Sequence, residues 1–292
     1  MQIWLFGLGL AVGSFINVLS LRYDPDKFLL NTKVVGGRSY CPHCRNKLKP
    51  FELVPLLSFI WLRGRCRTCR TKLSFQYPLV ELVSGLIFVL VPYFLRHSDV
   101  FGFFGSHLEN PIGYTLLASS YTLIFLALLL ISLIDIRLKL IPDEASIFIA
   151  ILAIPIIILQ SSEFNLTSGS FLGSYAGIFG LRENIWLNHG LALLFGVIFF
   201  LTLILITRGR GMGVGDLKLA GALGLVFGWP DIVLIIALSF ILGSILSLPS
   251  LIAGKKGMKS FLPFGPFLAL ASLVVYFLGY DLVRLYFGLF NE

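Results

Sequence analysis

The sequence predicts an all-α integral membrane protein, with about eight transmembrane helices and a small cytosolic module between the first two. Three observations lead there. Of the 292 residues, 57% are hydrophobic and only 13% are charged, whereas a water-soluble chain is about one quarter charged. Several apolar runs approach or exceed the ~20 residues that a helix needs to cross ~30 Å of hydrocarbon. All four cysteines fall in one basic block, residues 22–77, that interrupts those runs.

The apolar runs lie at roughly 2–20, 78–95, 112–134, 145–159, 187–206, 217–228, 230–252 and 264–288. Each is expected as helix, because backbone facing lipid must satisfy its own hydrogen bonds. The first run has no basic residue before it and meets its first positive charge at Arg22. That is the pattern of a retained span with its N-terminus outside, not of a cleaved signal. The 217–228 run is short, and "GWPD" after it fits a tight turn. Residues 160–186 are rich in Gly and Ser and are expected as an external loop, with room for a short interfacial helix. The expected domains are therefore a first span (1–21), a four-cysteine module (22–77) and a transmembrane core (78–292) carrying that loop.

Charge placement orients the chain. Twelve of the 23 Lys and Arg lie between Arg22 and Lys72. With that block in the cytosol and the spans alternating, 20 of the 23 face the cytosol, and only Arg96, Arg182 and Arg284 lie outside, as the positive-inside rule expects. The same distribution argues against nucleic acid as the partner of the +8 net charge. The expected partner is the lipid bilayer.

The cysteines read C-x2-C-x21-C-x2-C: Cys41, Cys44, Cys66 and Cys69. Two residues between thiols let one tight turn aim both sulfurs at a tetrahedral ion, and two such turns close a four-thiolate site. The halves repeat, "CPHCRNKL" and "CRTCRTKL", as two metal-binding knuckles would. Close pairs in a cytosolic block favour metal over a disulfide, and neighbouring Arg and Lys favour thiolates. Structural zinc is expected, with redox dithiols or free cysteines as the alternatives. Such a module is too small to fold readily on an apolar core, so metal would supply much of its stability.

The second constellation is acidic. Asp135 ends the third span and Asp216 begins the sixth, both at the cytosolic face, although 81 positions separate them. Two carboxylates in contact cannot both ionise cheaply, so they share a proton, and one can activate water while the other protonates a carbonyl. Other readings stay open on spacing alone. Asp216 fits a helix N-cap, Asp135 an ion pair with Arg137 or Lys139, and both together a proton or cation path in a transporter. A transporter would show paired halves with related broken helices, and none is visible. Asp143 and Glu144, after Pro142, are expected in the first turn of the fourth span, where the helix dipole favours them. No H-E-x-x-H or G-x-S-x-G occurs. Gly9 and Gly13 fit close helix packing. Ser14, Asn17 and Glu81 are polar residues in spans, hence functional candidates or interhelical hydrogen-bonding groups.

Six blocks, in order, are similar to the type IV prepilin peptidases, the bifunctional leader peptidase/N-methyltransferases. They are "GSFINVLSLR" (13–22), "CPHC" (41–44), "VPLLSFIWLRGRCRTCRTKLSFQYPLVELVSG" (54–85), "IDIRLKLIPDE" (134–144), "GMGVGDLKLAGALG" (211–224) and "LPFGPFLAL" (262–270). The resemblance implies an aspartic peptidase of the G-x-G-D type in the bacterial inner membrane, with Asp135 and Asp216 as its catalytic pair. The substrate would be a prepilin or pseudopilin of a type IV pilus or type II secretion system. It would be cut after a glycine at the cytosolic face, and its new N-terminus methylated from S-adenosylmethionine. Lys218 would tune the peptidase site, and Gly213 and Gly215 would let an extended substrate strand approach. Gly13, Ser14, Asn17 and Glu81 are the candidates for methyl transfer, with Glu81 taking the amine's proton. A basic leader would then meet a basic module, a conflict that acidic groups or anionic lipid must relieve.

Overall fold

The computed structural model describes residues 2–29, 31, 35–41, 43–97, 110–161, 170–179, 184–209, 211–252 and 263–288. Every regular element in them is helical. In chain order they are α1 (Gln2–Arg22), α2 (Leu57–Trp61), α3 (Gln76–His97), α4 (Pro111–Leu138), α5 (Asp143–Ser161), α6 (Ile185–Thr207), α7 (Val214–Phe227), α8 (Asp231–Ile252) and α9 (Gly265–Gly288), with 3-10 turns at Pro50–Leu53 and Gly173–Phe179. The eight long elements fall on the eight apolar runs. Among the described residues, six of them (α1, α3, α4, α5, α6 and α9) are long and apolar enough to cross a membrane. Helix α7 has 14 residues, about 21 Å at 1.5 Å per residue, and so falls short of the hydrocarbon thickness.

The helix ends follow local chemistry. Asn110 accepts from the Ile112 amide, and Pro111 opens α4, where a missing N–H costs nothing. Asn184 caps α6 through the Leu187 amide. Both helices stop at a basic residue in the left-handed region, Lys139 (φ 55°) and Arg208 (φ 52°). Asp143 and Glu144 occupy the first turn of α5 as expected.

The chain forms two compact units, Met1–Tyr93 and Phe94–Glu292. In the first, α1 and α3 pack through missing side chains. A Cβ on Gly9 would meet the Gly85 Cα at 2.8 Å, and one on Gly13 would meet the Glu81 Cα at 2.8 Å. Arg22, at the end of α1, donates to the Gly36 and Arg38 carbonyls and so ties the helix to the segment before the first cysteine.

In the second unit α4 is the most enclosed of the candidate spans among the described residues. Tyr121 and Phe125 on α4 meet Tyr276 on α9 at ring distances of 5.2 and 5.1 Å, and Phe171 joins them with Phe227 on α7. A second cluster, Phe200, Phe240 and Phe264, braces the start of α9. Helices α6 and α7 approach closely: a Cβ on Gly224 would stand 2.5 Å from the Ala192 carbonyl oxygen.

The segment expected as an external loop is in part a packed element. Residues 162–169 and 180–183, with Arg182, lie outside the described residues, as do Arg210, Lys255, Lys256 and Lys259. The described stretch puts Phe171, Leu172 and Ala176 in the core and forms a 3-10 turn rather than an α-helix. Its Gly and Ser content masked two apolar anchors: Phe171, which the aromatic cluster receives, and Leu172, which lies beside Gly279.

Candidate active site and metal centre

The carboxylates lie on the side of the second unit where α4 ends and α7 begins. Asp135 is three residues from the end of α4, is 4% exposed, and accepts the Gly265 amide on Oδ2 at 2.8 Å. That amide is the first of α9, where unpaired N–H groups favour an anion. Asp216 is 8% exposed and accepts the Gly213 amide on its own Oδ2 at 3.0 Å. It thus does reach back to cap its helix, and the cap uses one oxygen. In both residues Oδ1 has no hydrogen-bond partner among the described residues.

Ile141, in the α4–α5 turn, is the shared neighbour. A Cβ on Gly215 would meet the Ile141 Cβ at 2.9 Å, and one on Gly265 would meet its Cδ1 at 3.4 Å and the Asp135 Oδ2 at 2.9 Å. Through this one side chain the start of α7, which carries Asp216, and the start of α9, which holds Asp135, are brought together. At Gly215 the room is filled by Ile141. A Cβ on Gly213 would meet only Asp216 Oδ2 and the Gly215 amide, at 3.7 and 3.8 Å, among the described residues beyond its chain neighbours. Lys218 ion-pairs with Asp143 at 2.6 Å, linking the first turns of α7 and α5 beside the dyad. Two partners were missed in the sequence, Gly265 and Asp143. The "PFGP" block was the signal for the first. It lies 130 positions from Asp135, and no local period connects them.

A buried histidine ties three helices together. His189 meets Gln160 Oε1 at 2.7 Å and the Leu225 carbonyl at 2.8 Å, joining α5, α6 and α7 near the end opposite the dyad.

In the first unit the sequence repeat is a structural repeat. Cys41 and Cys66 each donate their amide to the residue five places on (Asn46, Thr71) and accept from the one four places on (Arg45, Arg70). Arg45 and Arg70 both sit in the left-handed region, at φ 53° and 56°. Each knuckle closes with a β-bridge, Tyr40 to Lys47 and Arg65 to Lys72. Asn46 donates to Thr68 Oγ1 at 3.0 Å across the pair.

The four sulfurs lie within 4.8 Å of one another, with Cys41–Cys69 at 3.8 Å and Cys44–Cys66 at 4.0 Å. Four thiolates about 2.3 Å from one tetrahedral ion would be about 3.8 Å apart, so the set fits a single metal ion. His43 stands outside the cluster. The Thr71 hydroxyl and amide hold the Cys69 thiol down to about 6. At Cys44 the Asn46 amide pulls the same way, but desolvation and the other thiols outweigh it and push the value up to about 11. Sulfurs this crowded resist joint ionisation, a conflict that a divalent cation at their centre removes.

Gly13, Ser14, Asn17 and Glu81 also converge, where α1 meets α3. Glu81 is 7% exposed and accepts the Leu56 amide at 2.8 Å. Asn17 donates to the Tyr77 carbonyl at 3.2 Å. Asn17 Oδ1 and Ser84 Oγ are buried with no hydrogen-bond partner among the described residues, and buried polar atoms ordinarily have one.

Two family descriptions match the chain: "Bacterial Peptidase A24 N-terminal domain" over residues 8–95, and "Type IV leader peptidase family" over residues 122–248. Curated relatives carry the name prepilin leader peptidase/N-methyltransferase. That of Aeromonas hydrophila is 29% identical, covering 96% of this chain and 92% of its own. That of Stutzerimonas stutzeri is 30% identical, covering 96% and 91%, and that of Bacillus subtilis (strain 168) 30%, covering 97% and 96%. No solved structure matches the chain. The transporter reading finds no support among these relatives. With that identity sustained over nearly the whole length, the chain belongs to the type IV leader peptidase family.

Proposed function

We propose that this protein is a membrane-embedded aspartic endopeptidase that removes the basic leader of prepilins or pseudopilins, and that it then N-methylates the new N-terminus. The observation that carries the peptidase reading is the pair Asp135 and Asp216, each with one oxygen held by a glycine amide and one left for chemistry. One carboxylate takes the proton of a water as that water attacks the scissile carbonyl. The other, sharing the pair's single proton, gives it to the carbonyl oxygen. Oxygens anchored to backbone amides hold the acids in place at no reorganisation cost. Gly213 leaves space for an extended substrate backbone, and Lys218, through Asp143, fixes the spacing of α7 and α5.

The eight long helices are read as eight spans, α7 being a short one. The N-terminus lies outside, and the dyad and residues 22–77 lie in the cytosol, where a leader would emerge beside a bacterial inner membrane. Residues 1–21 are then the first span, and 78–292 the peptidase core with the 160–186 loop outside. Zinc is the ion best suited to Cys41, Cys44, Cys66 and Cys69, in a closed structural site. For methylation, S-adenosylmethionine supplies an electrophilic methyl group. Ser14, Asn17 and Glu81 are the residues to hold it or the amine beside Gly13, and the orphaned oxygens of Asn17 and Ser84 give them reason to have a ligand. Glu81 accepts the proton that the amine must lose.

The test is cleavage of a purified prepilin by the full chain in detergent. Wild type should cut after the leader glycine and methylate the product when S-adenosylmethionine is added. Asp135→Asn and Asp216→Asn should each abolish cutting while still methylating a pre-cut substrate. Normal cutting by either variant would remove the dyad.

A further inference from the structure

The four-cysteine module has an apolar face that its own fold does not use. In α2, Leu57, Ile60 and Trp61 occupy positions i, i+3 and i+4, so they share one side of the helix. They are 65%, 70% and 87% exposed, and Phe51, just upstream, is 54% exposed. The opposite side is satisfied: Phe59 lies against Gly64 and meets Phe75 edge-on at 6.1 Å.

The position of this face is fixed. Leu56, the residue before α2, gives its amide to Glu81 Oε2, and Glu81 is the sixth residue of α3, about 7 Å inside the start of a span at 1.5 Å per residue. Leu56 is held there at φ 57°, a conformation that a branched side chain avoids unless its surroundings impose it. Helix α2 therefore starts level with the membrane edge.

Charge lies beside it. Arg63, Arg65, Arg67, Arg70 and Lys72 are exposed, and the two ion pairs found among the described residues, Lys27–Asp24 and Lys218–Asp143, use none of them. Arg67 stands over the Phe51 ring at 5.2 Å. The one acid in the segment, Glu52, is turned back onto the Lys49 amide. Apolar and tryptophan side chains on one face with cations at its margin are the features of a helix lying in the membrane interface, and clustered cations there favour anionic headgroups.

We propose that the face formed by Phe51, Leu57, Ile60 and Trp61 docks on the anionic leaflet of the bilayer crossed by α1 and α3, with the cations of residues 63–72 over lipid phosphates. The module is thus a surface-bound platform, and its positive charge is matched by lipid rather than directed at substrate.

The experiment uses the full chain in nanodiscs of phosphatidylcholine with or without phosphatidylglycerol. Trp61 emission is isolated by subtracting the Trp61→Phe variant, since the chain has four tryptophans. The expected result is quenching by bromine-labelled acyl chains and shielding from acrylamide when phosphatidylglycerol is present, with both effects at least about halved when it is omitted. Arg65→Gln/Arg67→Gln/Arg70→Gln should bring anionic discs to the zwitterionic level, with metal content unchanged as the sign that the knuckles are folded. Trp61 open to acrylamide and unquenched in both discs would overturn the proposal. Equal quenching in both would overturn the anionic assignment, and shielding that appears only with added prepilin or at high protein density would give the face to a protein partner instead.

Discussion

In the four-cysteine module, order comes from a short pattern repeated at an offset of 25 residues. Each amide, turn and bridge of the first knuckle recurs in the second, from Tyr40 and Arg65 through Lys47 and Lys72. In the unit Phe94–Glu292, order comes from side chains that meet across long stretches of chain, such as Tyr121 with Tyr276 and Phe171 with Phe227. The module buries little apolar surface beyond its sulfurs, so its stability depends on what those sulfurs bind. The bundle rests instead on whole aromatic rings buried in its interior. The proposed active site belongs to the second kind: its geometry is a by-product of helix packing, and packing changes should reach it.

The largest effect should come from the metal. A strong chelator, or Cys44→Ser, should unfold the module and expose residues 40–73 to protease, because binding free energy on the order of 10 kcal/mol is also folding free energy in such sites. The bundle should remain helical by circular dichroism, and joint melting of both would erase the contrast.

Two glycines separate catalysis from stability. In Gly265→Ala the new methyl meets the tip of a side chain, the Asp135 carboxylate, and the cheapest relief is to swing that acid away. Cleavage should fall roughly 100-fold, as expected when a reacting group is displaced by about 1 Å, with little change in melting temperature. In Gly224→Ala the methyl meets backbone at Ala192, which cannot yield cheaply. That variant should lose about 1–3 kcal/mol of stability, the usual cost of overpacking, while the folded fraction cuts normally. A thermal melt and a single-turnover assay on both variants distinguish the two.

The smallest effect belongs to Lys218. Its pair with Asp143 is about half exposed, and such pairs contribute at most about 1 kcal/mol. Lys218→Met should slow cutting no more than about fivefold, and Asp143→Asn should match it without adding to it. A far larger loss in Lys218→Met alone would place the lysine on the substrate.

Much of this was legible in sequence where the signal is local. Residue spacing located the cysteine knuckles and hydropathy the long helices, and alternation of the spans led to pairing Asp135 with Asp216, whose helices meet around Ile141. What could not be read is what tertiary packing decides. Nothing near Asp135 points to an amide 130 positions away at Gly265, and nothing near Lys218 to Asp143. Phe171 and Leu172 were hidden in a Gly- and Ser-rich stretch whose composition describes a loop. The glycines ahead of Asp216 looked alike, yet Gly215 is filled by Ile141, whereas among the described residues Gly213 has no contact closer than 3.7 Å. The conflict between a basic leader and a basic module also eases if the module's cations lie on lipid phosphates.

The most direct test of the account is whether Asp135 and Asp216 act as one unit. Single-turnover cleavage should be measured for Asp135→Asn, Asp216→Asn and the double variant, each at matched folded fraction. Residues that work as a unit are non-additive, each single loss approaching the loss of both. The account predicts that outcome; losses that multiply in the double variant would mean two independent acids and contradict it.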